Sequence, residues 1–232
     1  MNLRSTPATD ARPLIGVIVP PADGAIPPEL PALFGAAATF RGFGLALPQM
    51  NEQGFDAVID RVAEASRSLA TAGVDAIALM GTSLSFYRGA AFNDLLRATI
   101  HDATGLPAVT MSDAIVGALR GCGARRLAVA TAYTDDVNRR LVAFLAESGF
   151  QVDALDALQL LTVAEVHAVD DAQLVSLGQR VFAAAPRSDA LLISCGGLRT
   201  LGPGRALEAT LGVPVVSSAV AGARAAAQLV GL

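Results

Sequence analysis

Short apolar runs alternate with longer amphipathic stretches along this chain, the pattern of strands buried on both faces and of helices that cover them. The apolar runs predict strands over Leu14–Val19, Gly44–Leu47, Ala76–Met80, Ala108–Val109, Leu127–Ala130, Ala190–Ser194 and Val215–Val216. The amphipathic stretches predict helices over Gly54–Ala72, Ala90–Ala103, Ser112–Arg120, Asp135–Ser148, Asp170–Ala184, Gly204–Leu211 and Ser218–Val230. Gly73, Gly105, Gly121, Gly149 and Gly212 stand where helix stops belong. Such strand–helix alternation predicts an α/β fold of mostly parallel sheet flanked by helices.

The pattern also repeats. Asp75–Leu84 aligns without gaps to Asp189–Leu198, Leu14–Pro21 parallels Leu127–Thr134, and Gly105–Ser112 parallels Gly212–Ala219. The three pairings keep one order, so the chain reads as a duplicated half. Two pseudo-symmetric lobes follow: 1–112, completed by the C-terminal helix 218–232, and 113–217. Open α/β sheets bind ligands beyond the carboxyl ends of their strands. Pro20, Gly81, Tyr133 and Cys195 all fall at such ends, which places the active site in a cleft between the lobes.

Composition narrows the chemistry. With 232 residues, 53% of them hydrophobic and 16% charged, the chain is long enough for a substantial core. The net charge of −4, the lack of a basic block and the absence of tryptophan argue against a nucleic-acid partner. No apolar run approaches the roughly 18 residues of a membrane span, so no membrane partner is expected. The segment Met1–Pro13 is polar and interrupted by proline, without an apolar signal core, which makes a cytoplasmic location the expectation. All 17 basic residues are arginine. A pyridoxal Schiff base, a Schiff-base aldolase and a Walker phosphate loop each need a lysine that this chain lacks. Cys122, Cys195, His101 and His167 form no metal-ligand spacing, so neither metal nor cofactor is expected and both thiols read as free.

Cys195 is the leading chemical candidate. It ends a buried strand before Gly196-Gly197, where backbone N–H groups at a helix N-terminus would lower its pKa. At the matching place in the first half stands Gly81, followed by the hydroxyls of Thr82 and Ser83, which suit carboxylate oxygens. Tyr133 could add a phenolic donor. Cys122, on a helix-ending turn, reads as structural, His101 and His167 as surface residues, and Asp135-Asp136 as a helix N-cap with a first-turn acid.

These residues carry a resemblance. Strand-end cysteines in a duplicated α/β chain resemble the aspartate/glutamate racemase superfamily, which includes hydantoin racemase and maleate isomerase. Within it, Met80-Gly81-Thr82-Ser83-Leu84-Ser85-Phe86-Tyr87-Arg88-Gly89 together with Ser194-Cys195-Gly196-Gly197-Leu198 is similar to the arylmalonate decarboxylases. Val19-Pro20-Pro21 and Ala130-Thr131-Ala132-Tyr133 fit the same pattern. The resemblance implies cofactor-independent decarboxylation of an α-aryl or α-alkenyl malonate, a small dicarboxylate, to an enantioenriched monoacid. It further implies an enediolate held by Thr82, Ser83, Tyr133 and the backbone of Cys195 and Gly196, with Leu47, Leu84, Val163 and Val166 in an apolar lining. Cys195 would then be the single proton donor. Racemases of the superfamily use two cysteines, and glycine at position 81 disfavours that chemistry, because an unactivated hydroxyl is too weak an acid and base near neutral pH. A racemase or cis-trans isomerase with another second base, and a non-catalytic carboxylate-binding protein, stay open as alternatives.

Overall fold

The computed structural model describes residues 12–232, so the segment behind the expectation of location lies almost wholly outside the described residues. Two four-stranded, all-parallel sheets make the frame. In the first, β1 (Leu14–Val19), β2 (Thr39–Gly44), β3 (Ala76–Leu79) and β4 (Ala108–Thr110) lie in the order β2-β1-β3-β4. In the second, β5 (Arg126–Thr131), β6 (Gln151–Ala157), β7 (Ala190–Ser194) and β8 (Val215–Ser217) repeat it as β6-β5-β7-β8. In each half the strand order reverses direction beside the first strand. That topological switch opens a crevice at the carboxyl ends of the two central strands.

Strand pairing bears out the duplication and corrects one register. Ile77 pairs with Ala108 and Leu191 with Val215, which keeps the two later sequence pairings in step. Ile15 pairs with Ala76, however, and Leu127 with Ala190, so Ile15 rather than Leu14 is the counterpart of Leu127. A further match has no sequence signature. Leu45 and Leu47 donate backbone N–H groups to Val19 and Pro20, and Leu158 and Leu160 donate theirs to Thr131 and Ala132. Between each pair one non-glycine residue turns left-handed, Ala46 at φ 57° and Gln159 at φ 58°. In the first half this turn ends the expected strand Gly44–Leu47, which in fact runs over Thr39–Gly44 and then kinks.

Exposure explains why the edge strands departed from expectation. The edge strands β2 and β6 are half-exposed along most of their lengths, carry Arg41, Asp153 and Asp156, and so lack a continuous apolar run. The helix expected over Gly54–Ala72 is two, α2 (Glu52–Ile59) and α3 (Arg61–Thr71), joined at Asp60. Three short helices were not anticipated: α1 (Glu29–Phe34), α4 (Thr82–Phe86) and α8 (Val163–His167). The expected helices α5 (Ala90–Thr104), α7 (Asp135–Glu147), α9 (Asp171–Ala184) and α10 (Leu201–Leu211) start or stop within three residues of expectation. The N-cap of α7 is Thr134, and Asp135 and Asp136 both sit in its first turn. Among the described residues no helix is long and apolar enough to cross a membrane.

The two remaining helices, α6 (Met111–Gly121) and α11 (Ser218–Gln228), each leave the edge strand of one sheet and pack against each other. Ala223 and Ala226 of α11 join Ile15, Val17, Val19, Ala78 and Met80 in a buried cluster, so the last helix of the chain covers the first sheet. Alanines there let the helix sit close to the strands, and a larger side chain has no room to enter. Ala226→Leu is therefore expected to lower unfolding free energy by about 1–3 kcal/mol. Urea denaturation checks this; a change within experimental error would mean that α11 does not seal that sheet.

Candidate active site

The carboxyl ends of β1, β3, β5 and β7 surround a cavity of about 320 Å³. Pro20, Gly81, Thr82, Ser83, Tyr133, Cys195 and Gly196 line it, with Leu47, Val163 and Val166 in its apolar wall. Leu84 is the exception. It is buried in the core beneath Gly81, on the inward face of α4, and contributes packing rather than lining. The lining also includes His167 and residues not anticipated: Ala25–Pro28 before α1, Met50, Met80 and Arg199. Arg199 and His167 are exposed and bring basic groups to the rim. His167 is thus a surface residue, as expected, that also borders the cleft.

On the first-lobe side, Gly81 is the N-cap of α4, which puts Thr82 and Ser83 in its first turn. The Thr82 hydroxyl donates to Met111 Sδ at 2.7 Å, a weak acceptor that an anion would readily replace. Below it, Ser85 Oγ donates to the Thr82 carbonyl at 2.9 Å and lies 2.6 Å from Ser112 Oγ. The hydroxyl needed at the cavity is thereby held from behind by a buried polar pair.

The second lobe supplies the thiol and the phenol. Asn138 Nδ2 donates to the Tyr133 carbonyl at 3.1 Å, and its Oδ1 accepts from Thr131 at 2.7 Å, which fixes the turn after β5. Phe86 packs edge-on to the Tyr133 ring at 5.7 Å. Thr82, Ser194 and Cys195 surround the Tyr133 hydroxyl. Even so, the Tyr133 and Ser194 hydroxyls, both buried, form no geometrically complete hydrogen bond among the described residues. Each such group costs about 1–3 kcal/mol when left unpaired, so the site is polarised in advance for an acceptor. Burial and the neighbouring Cys195 push the Tyr133 pKa well up, which keeps it a neutral donor.

Cys195 is 5% exposed. Burial pushes its pKa up to about 11, and the N–H groups of Gly197 and Leu198 and the Tyr133 hydroxyl offset this only in part. The direction is opposite to the sequence expectation, for two reasons. Cys195 is followed by a turn, with α10 beginning only at Leu201, and the apolar wall disfavours the thiolate more than those donors favour it. Cys122 is exposed, with its thiol donating to the Leu119 carbonyl at 3.2 Å, and His101 is exposed on α5.

Glycines shape the floor. A Cβ at Gly196 would meet Met111 Sδ at 2.6 Å, so a side chain there would have to displace the Met111 thioether. Gly81 differs: its φ of −127° suits any residue, and a Cβ would meet Leu84 Cβ at 3.3 Å and Pro20 Cγ at 3.6 Å. A small side chain could enter after a shift of a few tenths of an ångström. Neither backbone strain nor collision accounts for glycine at position 81, which lines the same cavity as the thiol-bearing turn.

A family model described as arylmalonate decarboxylase matches residues 15–232. The arylmalonate decarboxylase of Bordetella bronchiseptica is 49% identical over 219 residues, 94% of this chain and 91% of its own length. A maleate isomerase of Pseudomonas putida is 27% identical over 224 residues, 89% of this chain and 87% of that protein. Among solved structures, a liganded double mutant of arylmalonate decarboxylase (glycine to cysteine, cysteine to serine) matches with a TM-score of 0.92 at 48% identity, over 94% of this chain and 93% of that one. The maleate isomerase Iso of Pseudomonas putida S16 matches in fold, with a TM-score of 0.87 at 22% identity over 96% and 94% of the two chains.

The raised Cys195 pKa has a measurable consequence. Iodoacetamide reacts with thiolate, so exposed Cys122 is expected to be modified first and Cys195 slowly near pH 7, its rate rising until about pH 11. Peptide mass spectrometry across a pH series reads both sites. A Cys195 rate that levels off below pH 8 would contradict this account of its environment.

Proposed function

The chain belongs to the arylmalonate decarboxylase family, and we propose that it decarboxylates an α-aryl or α-alkenyl malonate without a cofactor and that Cys195 delivers the product proton. The single observation that carries this reading is the pairing of a buried, neutral thiol with a glycine at the equivalent strand end. The glycine and cysteine substituted in the matched double mutant are separated by the same number of residues as Gly81 and Cys195, which supports the correspondence.

The retained carboxylate is bound by the hydroxyls of Thr82, Ser83 and Tyr133 and the backbone N–H of Gly196. The departing carboxylate faces Leu47, Val163 and Val166, where it is poorly solvated. The bond from the α-carbon to that carboxylate breaks, carbon dioxide leaves uncharged, and the electron pair passes into the α-carbon and the retained carboxylate as an enediolate. The aryl or alkenyl group delocalises part of the charge. The hydroxyl donors stabilise the rest, each worth about 3–4 kcal/mol when removed from such a position. Cys195 then gives its thiol proton to one face of the planar carbon, and solvent restores the thiol. A donor that must give up a proton gains from being protonated near pH 7, so the raised pKa agrees with the role. Arg199 at the rim attracts the dianion more strongly than the monoanionic product, which favours turnover.

Purified protein with α-methyl-α-phenylmalonate and no added cofactor is expected to release carbon dioxide and form 2-phenylpropionate of one hand. Cys195→Ala is expected to lower kcat by about 10²–10⁴-fold while the fold persists. Chiral chromatography and circular dichroism decide, and full turnover by that variant would end the proposal. Gly81→Cys is expected to exchange the α-proton of 2-phenylpropionate in deuterated buffer, since it sets a second thiol across the cleft. A folded variant without exchange would count against the two-lobe correspondence.

A further inference from the structure

One buried acid takes no part in the chemistry above. Glu29, the first residue of α1, is 3% exposed and reaches from the first lobe to the second. Its Oε1 accepts the backbone N–H of Thr200 at 2.8 Å and lies 3.5 Å from the Thr200 hydroxyl, which is in turn 2.8 Å from Ser217 Oγ. Thr200 is the N-cap of α10, yet its side chain makes no capping bond. In a capping box the acid three residues into the helix takes the N-cap N–H. Here that position is Pro203, which has no polar side-chain group, and Glu29 supplies the carboxyl from the other lobe. Glu29 Oε2 has no hydrogen-bond partner among the described residues, so the Thr200 contacts are what repay burying this acid.

Both ends of this bridge carry cavity wall. Immediately before Glu29 run Ala25–Pro28, and immediately before Thr200 runs the turn Cys195–Arg199. We propose that Glu29 is a positioning residue: by capping α10 from the opposite lobe it fixes the Cys195 turn relative to the Thr82 and Ser83 hydroxyls of the first lobe. The inference rests on the reading of Cys195 as proton donor. If the bridge is lost, the turn loosens, water reaches the thiol, and protonation no longer comes from one fixed face.

The test compares wild type, Glu29→Ala and Glu29→Gln, with Ile100→Ala on the outer helix α5 as a control of lowered stability. Site-resolved iodoacetamide modification of Cys195, relative to Cys122, is read together with the enantiomeric excess of 2-phenylpropionate. Glu29→Ala is expected to raise the Cys195 rate at least about fivefold, the factor that leaving one buried donor unpaired carries, and to lower the enantiomeric excess. Glu29→Gln keeps the acceptor for Thr200 N–H and is expected to stay near wild type in both readouts, as is Ile100→Ala. If Glu29→Ala does not fold, Glu29→Asp takes its place, retracting the carboxyl by one methylene, with a smaller rise expected. An unchanged Cys195 rate and unchanged enantiomeric excess in the folded variant, or equal changes in Ile100→Ala, would overturn the proposal. Should wild type release no carbon dioxide from malonates, the decarboxylase reading fails, while the alkylation rates still decide whether Glu29 holds the turn.

Discussion

Burial of polar groups against an apolar wall between the two sheets is the constraint on which the rest depends. It holds the Cys195 thiol protonated, with a pKa near 11, despite three nearby donors. It also strands the Tyr133 and Ser194 hydroxyls without partners and leaves Thr82 bonded to a thioether. Of these groups, Thr82 and Tyr133 line the cavity, where an acceptor could satisfy them. In the proposed mechanism the same apolar wall that disfavours a thiolate would disfavour a malonate carboxylate and favour its loss as an uncharged gas. One physical condition therefore serves both the bond that breaks and the bond that forms.

The duplicated frame makes this site by small departures from symmetry. Both halves place two strand ends at a switch point, and both kink after their second strand at a left-handed residue, Ala46 or Gln159. In the first half the kink leads Leu47 into the cavity wall. In the second, Gln159 turns outward to bond Asp135 at 2.7 Å, and the chain goes on to α8, whose Val163 and Val166 close the opposite wall. The decisive asymmetry is the thiol on one side and a bare backbone on the other. Gly81 is required neither by its dihedral angles nor by crowding; in the proposed mechanism a second acid–base group there would return a proton to the wrong face.

Much of this was legible in the chain because the strands that carry the site are buried on both faces. Ala190–Ser194 and Leu14–Val19 read as unbroken apolar runs, and the internal match of Asp75–Leu84 with Asp189–Leu198 paired Gly81 with Cys195. The edge strands β2 and β6 escaped because one face of each meets solvent, which breaks the run with Arg41, Asp153 and Asp156. Leu84 was misread because a residue beside a site motif can equally face the core, and its face is set by the turn of α4. The direction of the Cys195 pKa was missed because a sequence shows the local N–H groups and not the wall facing them. Ala25–Pro28 and Arg199 left no local signal at all, as their place at the cavity depends on tertiary packing.

Stereochemistry sets a stricter demand on this frame than binding does. A carboxylate can be held by donors that shift a little, but a proton reaches one face only if donor and carbon keep their relative position through the reaction. In the proposed mechanism the donor stands on one lobe and the Thr82 and Ser83 hydroxyls that would hold the carboxylate on the other, which would make contacts between lobes part of the catalytic geometry. These contacts are of different kinds. Arg140 bonds Glu52 at 2.6 Å and the Tyr87 carbonyl at 3.0 Å, largely within reach of solvent, where ion pairs contribute little. Met50 N–H meets the Leu161 carbonyl at 2.9 Å beside α8, a neutral backbone bond. The Glu29–Thr200 contact is buried and joins cavity wall to cavity wall. A hydrogen bond shielded from water is electrostatically stronger than an exposed one, which places a well-shielded link between the lobes next to the turn that carries the thiol.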